Sequence, residues 1–130
     1  PVRLLFFSFI ATAGIAQPPN TLTAAERRDG WRLLFDGKTT TGWRAAYGKT
    51  FPAKGWVVSG GELRGELTAG AESGDAGDIV TLDTYRNFDL RFEWKLGAGG
   101  NSGVKYFIEE RQPKPARGSQ AGYEYQLIDD

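Results

Sequence analysis

Nine consecutive positions, Phe88-Asp89-Leu90-Arg91-Phe92-Glu93-Trp94-Lys95-Leu96, alternate apolar and charged without a break. Strand side chains point alternately to opposite faces, so this period of two predicts a half-buried strand. Phe88, Leu90, Phe92, Trp94 and Leu96 are expected on the core side, and Asp89, Arg91, Glu93 and Lys95 on the other. A turn over Gly97–Asn101 leads into a second predicted strand, Ser102–Ile108. Beyond a polar, Pro-containing loop (Glu109–Gly122) lies a third, Tyr123–Ile128. There Glu124 and Gln126 share one face while Tyr123, Tyr125 and Leu127 point to the core. Upstream, Trp31–Phe35 reads as a strand closed by the turn Asp36-Gly37, and Trp43 opens a less regular stretch rich in Gly, Lys and Pro. Trp56–Ser59 and Glu62–Arg64 form a hairpin around Ser59-Gly60-Gly61, whose glycines take positive φ cheaply. The small and acidic residues Thr68–Asp78 predict a mobile loop, Ile79–Leu82 a short strand and Thr84–Asn87 a turn. One helix is indicated: Thr23-Ala24-Ala25-Glu26 has capping-box spacing, which starts a short helix over about Ala24–Asp29, ended by Gly30.

Composition narrows this pattern to one all-β domain. Four Trp, five Tyr, eight Phe and 18 Gly in 130 residues suit a β-sandwich with tight turns. Sixteen basic and sixteen acidic residues balance, so neither nucleic acid nor an anionic membrane surface is indicated as a partner. Cys and His are both absent, which removes thiolate and imidazole ligands and the commonest general base. At the start, Arg3 precedes the apolar run Leu4–Ile10, and the small residues Gly14 and Ala16 fit a cleavage site before Gln17. Residues 1–16 therefore read as a signal peptide that directs export to the periplasm or beyond, clipped of its initiator Met. A buried N-terminal strand or helix is the alternative, and the run is too short to cross a bilayer. Residues 17–29 are then a linker and short helix, with Pro18-Pro19-Asn20 as the linker, and residues 30–130 the domain. A chain that stops just after a strand, with about seven short strands in all, reads as C-terminally truncated.

Candidate chemistry falls on Asn101-Ser102-Gly103, Lys105, and Glu124 with Gln126. Each has a plain reading: turn formers, a solvated lysine and a solvated strand face. Their coincidence suggests more, because the polar face of Arg91, Glu93 and Lys95 could join that of Glu124 and Gln126 in one sheet suited to sugar hydroxyls. Trp43 and Tyr47 could stack on pyranose rings, although Trp43 fits the core equally well. A conventional glycosidase needs two carboxylates across the scissile bond. The residue two beyond Glu124 is the amide Gln126, and Asp129 falls on the opposite face of a regular strand. The paired-acid mechanism is therefore poorly supported.

Five sequence blocks occur together in order: Gly30-Trp31-Arg32-Leu33-Leu34-Phe35-Asp36-Gly37-Lys38 with Gly42-Trp43; Trp56-Val57-Val58 with Gly61-Glu62-Leu63; Asn87 through Trp94; Gly100-Asn101-Ser102-Gly103-Val104-Lys105-Tyr106-Phe107; and Gly122 through Asp130. In this order and spacing they resemble the 3-keto-disaccharide hydrolase family. The resemblance implies an incomplete concanavalin A-like jelly-roll β-sandwich, with a His-Pro-Asp segment following soon after the Leu127-Ile128-Asp129-Asp130 equivalent. It implies a 3-keto-glycoside substrate, opened by C2 proton abstraction, elimination and hydration. On that basis Glu124 is the base or a metal ligand, Lys105 stabilises the enolate or binds the substrate, Asn101 and Gln126 hold hydroxyls, and Glu93 is a further ligand candidate. The cofactor stays open, a divalent metal in the full-length protein being one option. A non-catalytic carbohydrate-binding module and an interaction domain using the Trp43–Tyr47 surface are the alternatives, since fold does not settle function.

Overall fold

A computed structural model describes residues 17–66, 77–114 and 121–129. Within them the chain forms α1 (Ala24–Arg28), β1 (Trp43–Ala45), β2 (Trp56–Ser59), β3 (Glu62–Gly65), β4 (Ile79–Thr81), β5 (Asn101–Glu109) and β6 (Ala121–Ile128). The described residues are mostly strand and irregular backbone with little helix, which agrees with an all-β class. Among them no helix is long and apolar enough to cross a membrane. The segment read as a signal peptide, most of the expected loop over 68–78, and part of the loop before β6 lie outside the described residues.

The strands pair antiparallel as β1–β4, β2–β3 and β5–β6. The hairpin is where its glycines place it: Ser59 pairs with Glu62, and Gly60 and Gly61 between them have φ of 61° and 81°. Two adjacent residues at positive φ give a two-residue turn whose twist matches its strands. In α1 both halves of the capping box form. The Glu26 amide donates to Thr23 Oγ1 at 3.1 Å, and the Thr23 amide donates to Glu26 Oε2 at 2.8 Å. Asn20, expected in a plain linker, instead ties the N-terminal segment to the hairpin by donating from Nδ2 to the Gly61 carbonyl at 2.8 Å.

Three expectations need correction. Trp31–Phe35 is not a strand; its backbone serves as a seat for Trp43, whose Nε1 donates to the Leu34 carbonyl at 2.7 Å. Asp36 then closes the following turn by accepting from the Lys38 and Thr39 amides. Trp43, expected to open irregular backbone, instead begins β1, because the short apolar β4 offers it a ladder partner: Trp43 opposes Thr81 and Ala45 opposes Ile79. The alternating segment 88–96 has no ladder partner among the described residues, and Phe88, Leu90, Phe92 and Trp94 remain 38–55% exposed. Alternation specifies which side chains share a face, but a strand exists only where a neighbour accepts its N–H groups.

The direction of that segment is nevertheless as its period requires. Phe88 packs edge-on to Tyr106 at 6.5 Å, and Phe92 meets Tyr125 at the same distance. Its apolar side therefore lies toward the apolar face of β5–β6, which carries Val104, Tyr106, Tyr123, Tyr125 and Leu127. Leu127, at 7% exposed, is the most deeply covered of these. Tyr123 and Tyr125, expected in the core, are exposed, because Phe88 and Phe92 touch this face without covering it.

Candidate functional site

The opposite face of β5–β6 gathers most of the polar candidates. Lys105 opposes Glu124, Gly103 opposes Gln126, and Asn101 opposes Ile128, so antiparallel pairing places all six on one side. Gln126 Nε2 donates to Asn101 Oδ1 at 2.5 Å and to the Ser102 carbonyl at 2.8 Å. These bonds fix the amide orientation. The Glu124 side chain lies back over Gly103, where a β-carbon would stand 2.8 Å from its Cγ and Cδ.

Lys105 does not bond its cross-strand neighbour. Its Nζ donates to Asp78 Oδ2 at 2.8 Å, and its side chain is only 20% exposed. Asp78 stands immediately before β4, and its carbonyl accepts from the Ala46 amide at 2.9 Å. Its place at the end of a small-residue loop hid this role in the sequence; the one usable signal was an acid directly preceding a short apolar strand. Glu93 is not brought to the site, because its segment packs on the opposite, apolar face of β5–β6, and it makes no ion pair among the described residues. Asp129 is occupied elsewhere, accepting from the Gly99 amide at 2.8 Å and bracing the turn that enters β5.

A second cluster carried no sequence signal. Past a bulge between Tyr106 and Glu109, the chain delivers Glu110 to Arg44. The pair is bidentate, at 2.9 and 2.7 Å, and Glu110 Oε1 also accepts from the Tyr47 amide at 2.5 Å. These bonds, the guanidinium first, hold the Glu110 carboxyl down to about 2 and push the Arg44 guanidinium up. Tyr47 has a left-handed φ of 62°, its hydroxyl is covered and unpartnered, and the Lys114 ammonium is 5.7 Å from its ring centre. The half-buried ring is part of this joint between β1 and the end of β5, not an open stacking platform. Trp43 is likewise half-buried and anchored through its indole N–H.

A hollow of about 420 Å³ lies on the aromatic side, lined by Arg86, Asn87, Phe88, Tyr106 and Phe107, and another of about 320 Å³ lies between residues 32–42 and 81–85. Neither contains Glu124. A divalent ion needs several convergent hard donors, and no three acidic side chains converge among the described residues. Glu124 lies over Gly103 and faces the cation Lys105, and Asp78 is satisfied by that lysine, so this donor set does not fit a metal centre. It does fit a ligand that both donates and accepts hydrogen bonds, beside one exposed carboxylate.

The model of the family described as the 3-keto-alpha-glucoside-1,2-lyase-like domain matches residues 30–130. A 3-keto-disaccharide hydrolase of Bacteroides thetaiotaomicron is 36% identical over 111 residues, which are 78% of this chain and 38% of that protein. A crystal structure of a candidate glycosyl hydrolase from Parabacteroides distasonis matches with a TM-score of 0.68 at 41% identity, over 85% of this chain and 48% of that one. The chain thus spans less than half the length of both relatives.

Proposed function

Because the chain belongs to the 3-keto-alpha-glucoside-1,2-lyase-like family, we propose that the whole protein is a carbohydrate-active enzyme that cleaves glycosides oxidised at C3, built on a concanavalin A-like jelly roll. The observation that carries this reading is one outward carboxylate, Glu124, that faces Lys105 across the ladder, while the acid beyond that lysine, Asp78, is engaged by its ammonium. Paired-acid hydrolysis needs two carboxyl groups about 5–10 Å apart across the bond. A 3-keto sugar needs fewer, since its ketone acidifies the C2 proton.

Glu124 takes the C2 proton, and the electron pair moves into an enolate with its charge on O3. Collapse of the enolate re-forms the C3 carbonyl, makes a C1–C2 double bond and breaks the bond from C1 to the leaving oxygen, which is protonated as it departs. Addition of water across C1–C2 completes a net hydrolysis. Lys105 spends one N–H on Asp78, and its other two can stabilise the enolate oxygen. Asn101 and Gln126 hold ring hydroxyls. A carbohydrate-binding module of the same fold is the alternative, and neither of the two hollows contains Glu124.

The test uses the full-length protein and a 3-keto-glycoside. Glu124→Gln is expected to lower turnover by at least ~10²-fold, the lower end for a lost general base, with an unchanged melting midpoint. Lys105→Ala should lower it less. Arg64→Ala, which removes only an exposed contact to Glu66, should change little. Normal turnover in folded Glu124→Gln removes the assignment, and binding without release of aglycone identifies the module.

A further inference from the structure

Gly103 looks like a turn residue in sequence, but it stands inside β5 with ladder partners on either side, opposite Gln126. Its φ is not among the positive values in the chain, so the backbone would accept any L-residue. Glycine weakens a strand interior, and when it is not needed for a bend it usually marks a close approach. Here that approach is specific. A β-carbon at position 103 would overlap Glu124 Oε1 and stand 2.8 Å from both Cδ and Cγ, and its three nearest atoms all belong to that one side chain.

We propose that Gly103 is a positioning residue for the Glu124 carboxylate, keeping open the slot in which that carboxylate lies. Glu124 directly faces Lys105 and is diagonal to Gly103. Lys105 is held by Asp78 at 2.8 Å and does not draw the carboxylate toward itself. The acid therefore folds back over the glycine, toward the end of the face where Gln126 and Asn101 are bonded at 2.5 Å. A methyl group at 103 leaves the ladder intact, since the atoms in its way are the movable end of a side chain. It displaces the proton acceptor alone. A misplacement of this order costs ~10–10²-fold in rate when the displaced group reacts.

This inference rests on the reading of Glu124 as the base, and the experiment separates the two. In the full-length protein, Gly103→Ala, Glu124→Gln and the double variant are assayed for kcat, KM and melting midpoint. Gly103→Ala should keep its midpoint and lose ~10–10²-fold in kcat with a smaller change in KM. The double variant should be no slower than Glu124→Gln, because no acid is left to displace. An inactive Glu124→Gln beside a fully active Gly103→Ala overturns the positioning role and leaves the base standing. Full activity in both removes the base itself, and additive losses in the double variant show that Gly103 acts through something other than Glu124. Should Gly103→Ala fail to fold, the variant that also carries Glu124→Ala must fold as Glu124→Ala does, because the obstructing atoms are gone. An unfolded double variant of that kind also overturns the proposal.

Discussion

Glu110 and Glu124 are both glutamates near a lysine or arginine, yet at the scale of single residues they have opposite employment. Glu110 accepts two bonds from Arg44 and one from the Tyr47 amide, and is held near 2 from an ordinary 4.5. A depressed native pKa means that its contribution to stability is complete above about 4.5 and is lost as pH falls toward about 2. Removing one partner from such a charged hydrogen-bond set costs about 1–3 kcal/mol. Glu110→Gln should therefore be less stable at pH 7, and the gap should narrow steadily between pH 5 and pH 2. Denaturant midpoints of the two proteins measured across that range check it, and a gap independent of pH would show that the pair adds nothing. Neither role was legible from residue type. Glu110 sits beside Glu109 in what reads as a solvated loop start, and its partner is 66 residues away.

Among the elements, those specified by local chemistry are the ones that form where the sequence puts them. The capping box needs only four consecutive residues, and the β2–β3 hairpin needs two glycines between two short apolar runs. Gly60 has open space where a β-carbon would stand, so Gly60→Ala isolates the conformational cost of its 61° φ. That cost is about 1 kcal/mol, and amide exchange at Val57 and Val58 should quicken about fivefold. Unchanged exchange would mean that the turn relaxes to another type at no cost. By contrast β1 and the segment 88–96 were misjudged in opposite directions. Trp43–Ala45 is too short for its alternation to carry weight but finds β4 beside it, whereas Phe88–Leu96 alternates throughout and has no ladder partner among the described residues.

For the whole molecule, the consequence is an apolar face with little over it. Phe107, Tyr123, Tyr125 and Trp94 are each more than half exposed, and the described strands form pairs, not wider sheets. Two-stranded ribbons are marginal in water, and exposed apolar faces with unpaired edges invite association. A protein of residues 17–130 is therefore expected to bind a hydrophobic dye strongly and to melt without a sharp transition. A sharp, cooperative melt as a monomer would overturn this.

The sequence by itself determined the class of the molecule, the family, the hairpin, the capped helix and the faces of β6. These follow from local dihedral preferences and from the period of two, both of which act between residues close in the chain. It also placed Glu124 and Gln126 on one strand face by parity, and the register of β5 against β6 in the structure adds Asn101 and Lys105 to it. Only the tertiary structure decided that Lys105 belongs to Asp78, that Glu93 lies with the other face, and that Arg44 meets Glu110. It alone turned Gly103 from a turn residue into a space left for a carboxylate. Each of these depends on which distant segments come to lie side by side, and in each the decisive contact is between side chains more than 15 residues apart, where no local periodicity carries information.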